Sequence, residues 1–272
     1  MVRIRDLPRT AVLFLLILNC TVFPFFTHNA AADSPAFPFK PGEKLHYEVF
    51  WAGIKAAEAT LEILPMTDLN GKLVWHFVMT AQTTSLVAAI YPVQDRIDSW
   101  ATKDMMRALR YTEFKRKRFT TKNLSITFDW NANIAQTDKN GKKRIVELKP
   151  DAFDPLSIFY FFRTQVLHEG LKLSRPVADR KRCVQGVAHV RGRQTVRSGG
   201  KMWDTWLVEP DLSQVQNVFE KNPDANVQIW VTADERRLPV MFKSKIAVGS
   251  FTAELVRVEP LQPDIPGSNK LQ

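Results

Sequence analysis

Residues 154–170 read D-P-L-S-I-F-Y-F-F-R-T-Q-V-L-H-E-G. Asp154 suits a helix N-cap, Pro155 fits the first helical position, and Gly170 supplies a stop. Leu156, Ile158, Phe159, Phe161, Phe162, Val166 and Leu167 would lie on nearly every side of such a helix. Only Ser157, Tyr160, Thr164 and His168 make a narrow polar stripe. A soluble helix that is apolar almost all round has to be buried. A helix over 154–168 would be roughly 21 Å long, too short to cross a bilayer. It is therefore expected as the one substantial helix of a β protein, filling the concave side of a curved sheet.

The flanking sequence alternates as strands do. Before the helix, G-E-K-L-H-Y-E-V-F-W (42–51) and Ala57 to Leu64 read as strands, and Asn70-Gly71 turns the chain back through Leu73, Trp75, Phe77 and Met79. Thr84 to Tyr91 reads as a helical turn stopped at Pro92, and Val93 to Ala101 resumes as strand. A hairpin runs up Tyr111 to Phe119 and back along Asn123 to Trp130, and Asn140-Gly141 leads into Ile145 to Leu148. After the helix, Leu171 to Pro176, Cys183 to Val196 and Lys201 to Val208 read as strands, the last two around Ser198-Gly199-Gly200. Asp211 to Pro223 reads as a polar connection, and Val227 to Thr232, Pro239 to Val248 and Ser250 to Val258 as a closing meander. About a dozen strands joined by tight turns predict a mainly β, antiparallel sheet, curled into an incomplete barrel around the helix. The expected organisation is a leader over 1–32, a lead-in over 33–41, one β domain over 42–260 with its helix at 154–168, and a flexible tail over 261–272.

The N-terminus sets the expected compartment. Arg3, Arg5 and Arg9 precede the apolar run Ala11 to Leu18, and Ala30-Ala31-Ala32 precede Asp33. This is the pattern of a secretory signal peptide cleaved after Ala32. Asn19 before Cys20 suits lipidation poorly, so a soluble exported protein is expected. Cleavage leaves Cys183 as the only cysteine and removes the option of an intrachain disulfide. The formal net charge of +10 becomes about +8 in the mature chain, favouring anionic partners of the envelope. Periplasmic export makes nucleic acid a poor partner.

Three stretches then point to a family. G-E-K-L-H-Y-E-V-F-W-A-G-I (42–54), D-P-L-S-I-F-Y-F-F-R (154–163), and I-W-V-T-A-D-E-R-R-L-P-V (229–240) followed by V-G-S-F-T-A-E-L (248–255) resemble the bacterial domain-of-unknown-function family 3108. The resemblance implies an exported bacterial protein with an antiparallel β fold, and it carries no activity with it. Trp230 to Val240 is also similar to a segment of periplasmic lipoprotein carriers, whose half-barrel encloses a helix over an apolar cavity. Shared architecture does not carry shared function.

Chemistry-bearing patterns are sparse. His46, His76, His168 and His189 are scattered and match no metal-ligand spacing, and Cys183 lacks a partner His pattern. No nucleophile elbow or phosphate loop occurs in the mature chain. Asp95 and Asp98 fall on opposite faces of a strand, which is wrong for a shared acid–base pair. No catalytic residue, metal ligand or cofactor is therefore expected, and the protein is read as a non-enzyme. The binding candidates are Phe159, Phe162, Trp75 and Trp230 for an apolar tail, with Arg163 or Lys115 to Arg118 for an anionic head. Arg163 has a plainer alternative, an internal ion pair, because a buried guanidinium needs an anion. The function expected is non-catalytic binding of an amphipathic or anionic envelope component, such as a lipid, with at most peripheral membrane contact. The alternative is an envelope scaffold with a full core that recruits another protein, and a hydrolase stands third.

Overall fold

The computed structural model describes residues 37–211, 226–245 and 250–259. The expected leader, residues 33–36 of the lead-in, all of the expected tail over 261–272 and all but the first residue of the polar connection lie outside the described residues. The chain is mainly β. Before the helical insertion come β1 (Lys44–Trp51), β2 (Ile54–Asp68), β3 (Leu73–Thr83), β4 (Val93–Thr102), β5 (Ala108–Lys117), β6 (Thr120–Asp129), β7 (Ile134–Lys139) and β8 (Lys142–Glu147). A one-turn helix, α1 (Ser85–Ala88), sits between β3 and β4. After α2 (Ser157–Arg163) follow β9 (Lys172–Ala178), β10 (Cys183–Ser198), β11 (Lys201–Asp211), β12 (Asn226–Thr232), β13 (Pro239–Lys245) and β14 (Ser250–Glu259).

All fourteen strands join one nearly closed antiparallel sheet in the order β8-β7-β6-β5-β4-β3-β2-β1-β14-β13-β12-β11-β10-β9. This is a plain meander except that β14 pairs with β1, so the break falls between β8 and β9, where the helical segment is inserted. The insertion itself spans the seam. Phe153 donates its N–H to the Pro176 carbonyl (2.9 Å) and accepts from Ala178 (2.8 Å) on β9. Leu148 donates to Asn133 (2.9 Å), and Ala108 of β5 donates to Ala152 (3.0 Å). Pro176 is tolerated because β9 is an edge strand.

The helix is shorter than expected, at seven residues. It starts at Ser157, later than the expected Asp154–Pro155 start. Asp154 nonetheless accepts the N–H groups of Leu156 (2.8 Å) and Ser157 (3.0 Å) in the turn ahead of it, and its other carboxylate oxygen accepts the Ser99 hydroxyl (2.7 Å). Its end comes early because the Thr164 hydroxyl donates to the Phe161 carbonyl (2.7 Å), while the Thr164 and Gln165 N–H groups make i→i−3 bonds. Val166 then turns out to solvent at 76% exposure. Leu167 packs on a separate small cluster of Leu173, Ala188, Val190, Val208 and Val231.

One face of nearly every strand feeds a single apolar core that also takes Leu156, Ile158, Tyr160 and Phe161. Tyr160 stacks on Phe77 with ring centroids 3.9 Å apart, and Phe39 meets Trp75, Phe77 and Tyr160 edge-on. Phe39 comes from the segment read as lead-in, and the compact unit begins at Phe37. The tip of the long β10–β11 hairpin packs on the same core through Val196 and Trp203. Leu255 donates its N–H to the Ser198 hydroxyl (3.1 Å) there. Gly199 has φ +56°, and a Cβ on it would lie 1.9 Å from the Leu255 carbonyl oxygen, so only glycine fits.

Arg163 closes the arrangement. It is 2% exposed and forms a two-pronged ion pair with Glu43 (2.6 and 3.1 Å), while Nε and Nη2 donate to the carbonyls of Arg237 (3.0 Å) and Arg236 (3.1 Å). Removing one partner of a buried pair strands the other charge, at a cost of about 3–5 kcal/mol. Glu43→Ala is expected to lose stability on that scale in urea unfolding. The apolar double variant Glu43→Leu/Arg163→Met should recover most of it. A single variant as stable as the parent would show that the pair is not a fastening.

Candidate functional site

The five side chains singled out for a ligand lie in or against the core. Trp75 is buried between Phe37 and Phe39, stacks on Phe77, and donates its indole N–H to Lys103 (3.0 Å). Trp230 is buried too, and its indole nitrogen has no hydrogen-bond partner among the described residues. Phe159 and Phe162 are half-buried; with Arg163 they border a gap to Leu173, Ala188, Val208 and Val231 of about 30 Å³. That is about one water's share of liquid volume, whereas ligand pockets run roughly 300–1,000 Å³. Arg163 has four of its N–H groups committed internally, so the structure realises the ion-pair alternative. Lys115 to Arg118 lies at the other end of the strands from Arg163. Arg163 meets Glu43 at the start of β1, and Lys117 pairs with Val93 beside the β3–β4 connection.

Space for a ligand lies on the sheet face turned away from the core. A depression of about 580 Å³ crosses β14, β1, β2, β3, β4 and β5, and a neighbouring one of about 430 Å³ shares Arg96 and Phe114 with it. The strand register explains its lining. Arg257 pairs with His46, His46 with Thr60, Thr60 with Thr80, Thr80 with Arg96, Arg96 with Phe114, and Phe114 with Asn123. One row of side chains thus runs across seven strands, spanning roughly 29 Å at about 4.8 Å per strand. All but Phe114 are polar or charged, and Phe114 is 38% exposed.

The row is held in place by its neighbours. The Thr60 and Thr80 hydroxyls are hydrogen-bonded (2.7 Å), and His46 Nε2 lies 2.7 Å from Glu259. That contact holds the Glu259 carboxyl below the usual range. Lys55 bridges Glu48 (2.7 Å) and Glu58 (2.9 Å), so the acids at one rim of the groove are neutralised. Arg96 donates to both oxygens of Asp98 (2.7 Å each), and His76 Nε2 lies 2.9 Å from the same carboxylate. Asp95 has a buried Oδ1 without a partner; burial pushes its carboxyl up, and Lys115 and Lys117 offset this in part. No cluster of three potential metal ligands occurs among the described residues.

Sequence comparison places the chain in a family at this point: a family model, "Protein of unknown function (DUF3108)", matches residues 46–256. The chain belongs to the DUF3108 family. No curated protein matches its sequence. Among solved structures, a β-barrel-like protein of the domain-of-unknown-function family DUF1849 from Brucella abortus is 8% identical, with 80% of this chain and 96% of that one covered at a TM-score of 0.51. That likeness concerns the fold alone. A candidate exported protein with a YmcC-like fold from Bacteroides fragilis gives 10% identity, 82% and 98% coverage and a TM-score of 0.33. A candidate lipoprotein from Parabacteroides distasonis gives 9%, 82% and 97%, and 0.33.

The DUF3108-like stretches quoted from the sequence converge in space. Glu43, Arg163 and the Arg236–Arg237 carbonyls meet at the buried ion pair, while Glu254 accepts the Gly199 N–H (3.1 Å) at the hairpin tip. In this DUF3108 protein those stretches therefore meet at the ion pair and the hairpin tip, and the groove is built from residues outside the helix.

Asp98 supplies a pH test of the groove wall. Burial pushes its carboxyl up, but the Arg96 and His76 contacts outweigh that and leave it below the usual range. A carboxyl depressed in the folded state stabilises above its unfolded value, near 3.9, and loses that contribution as pH falls through the folded one. Asp98→Asn is expected to be less stable than the parent at pH 7 and to lose less stability on going from pH 5 to pH 3. Urea titrations at the three pH values check this, and an unchanged acid loss would remove Asp98 from the account.

Proposed function

We propose that the protein is a non-catalytic binding protein of the cell envelope that takes the hydroxyl-rich, anionic head of an envelope amphiphile in the outer-face groove. The observation that carries this reading is the contrast in space: about 580 Å³ outside the sheet against about 30 Å³ beside Phe159 and Phe162. In this reading α2 fills the concave side of the sheet and acts as a core plug, not as a lid over a tail. The apolar tail of the ligand would stay in its own membrane or micelle.

The chemistry of the lining supports the ligand class. Thr60, Thr80, Gln82 and Gln94 offer neutral donors and acceptors suited to hydroxyls, and Phe114 offers a ring face for a sugar. Arg96 and Arg257 have half or more of their side chains exposed and can meet phosphate or carboxylate groups. The signal-peptide pattern supports an envelope location. A scaffold reading draws on the packed core, but the open edge of β8 is six residues long and begins K-K-R, a pattern that blunts strand addition.

The test is calorimetric titration of the protein with the phosphorylated oligosaccharide released from lipopolysaccharide. Saturable binding is expected, weakened about tenfold, or ~1.4 kcal/mol, by Phe114→Ala and by Gln94→Ala. Phe159→Ala should lower stability and leave the affinity unchanged. Binding lost through Phe159→Ala but untouched by Phe114→Ala would move the site back to the helix and defeat the groove reading.

A further inference from the structure

The strand directions collect four turns of the sheet at one end. Antiparallel pairing brings the β1–β2 turn, the β3–β4 connection with α1, the β5–β6 turn and the β7–β8 turn to the same edge. Backbone bonds lock three of them together: Thr84 donates to Ala56 (3.0 Å), and Arg118 donates to Pro92 (3.0 Å). Successive turns are two strands apart, or roughly 10 Å.

These turns carry apolar side chains that are exposed among the described residues. Leu86 is 85% exposed, Ile90 74%, Phe119 85% and Ile54 70%. Tyr91 is exposed beside them, and Trp51 at the end of β1 stacks on Phe251. Cations stand between the tips. Arg116, Lys117, Arg118 and Lys122 are exposed and have no carboxylate within ion-pair distance among the described residues, and Lys142 and Lys143 open β8 just after the β7–β8 turn. The Arg118 guanidinium lies 4.8 Å from the Phe119 ring centroid.

We infer that this end of the sheet is a docking rim for an anionic lipid bilayer, with Ile54, Leu86, Ile90 and Phe119 entering the headgroup boundary and the cations meeting lipid phosphates. Three features select a bilayer over a protein partner. The apolar tips are separate, about 10 Å apart, and form no pocket or continuous groove; a fluid hydrocarbon surface accepts such an array, whereas a protein interface needs a matched shape. The β5–β6 tip carries Phe119 among Arg116, Lys117, Arg118 and Lys122, and its Arg118 N–H bonds the β3–β4 connection, so cations stand beside the apolar tips as in interfacial anchors on negatively charged leaflets. The hydrogen bonds between turns hold the tips as one platform, so little ordering cost arises on docking. The inference rests on the rim alone and is independent of the groove.

Vesicle co-sedimentation tests it. The chain from Asp33 onward, which contains the whole compact unit, would be mixed with phosphatidylglycerol–phosphatidylcholine vesicles and with phosphatidylcholine vesicles, at low and high salt. Pelleting is expected with the anionic vesicles, falling with salt. Leu86→Ser/Ile90→Ser and Phe119→Ser are each expected to weaken it about tenfold, and each of Arg116→Ser and Lys117→Ser roughly fivefold. Val166→Ser, equally exposed but on the chain after α2, should pellet as the parent does. Absence of pelleting with anionic vesicles would overturn the inference and leave the rim to a protein partner. A loss from Val166→Ser as large as that from Leu86→Ser/Ile90→Ser would overturn it as well.

Discussion

The buried pair of Glu43 and Arg163 is the constraint on which the rest of the structure depends. Taking two charges out of water costs several kcal/mol per ion, and their attraction offsets this only where the geometry is good and the remaining donors are satisfied. Here the guanidinium meets both carboxylate oxygens and two further carbonyls, so four of its N–H groups have acceptors. The net stability from such a pair is small. Its structural consequence is large, because the two ions and two carbonyls come from the start of β1, the end of α2 and the β12–β13 turn. Moving any one of the three would leave a charge buried alone.

That fastening ties the end of α2 to β1 and the β12–β13 turn, and α2 adds Ile158, Tyr160 and Phe161 to a core fed mainly by the strands. With Arg163 fixed, Tyr160 is laid flat on Phe77 and Phe39 closes over both. The insertion that delivers α2 also replaces the pairing that would close β8 onto β9, with Phe153 bonding along β9 instead. A sheet of fourteen strands closed on itself would enclose a wide lumen. The helical segment from one side of the seam and the Val196–Trp203 hairpin tip fill that space with side chains. The open depressions among the described residues lie on the outer face of the sheet.

The strands were legible in the sequence because their alternation is local. The Asn-Gly turns were legible because both residues take positive φ there, and the Asp154 cap because its bonds reach only two and three residues ahead. The length of the helix was not: Val166 and Leu167 keep the helical spacing of apolar residues, yet the Thr164 hydroxyl takes the carbonyl that would continue the turn. Phe39 was read as lead-in because nothing local says that a Phe-Pro-Phe segment is drawn under Trp75. Nor could the sequence choose between an internal partner and a ligand for Arg163, since Glu43 is 120 residues away. The groove was invisible for the same reason. Arg257, His46, Thr60, Thr80, Arg96 and Phe114 become one row only when five strand registers are known.

This division has a physical cause that bears on how a family of this kind is read for function. Residues that fasten a fold must satisfy specific partners at fixed distances, so they form compact, recognisable strings such as D-P-L-S-I-F-Y-F-F-R. Residues on a polar sheet face need only the right phase of alternation, and each strand contributes one or two of them. Short motifs therefore lead to the ion pair and the aromatic stack, and the aromatic residues inside those motifs have packing roles in this structure. Trp75, Trp230, Phe159 and Phe162 pack in or against the core, while Phe114 and Phe119 are single exposed rings set among polar or charged residues. Phe114 and Phe119 keep ring surface outside the core and stand next to Lys115 and Arg118, so they are the aromatic residues on which a test of binding bears.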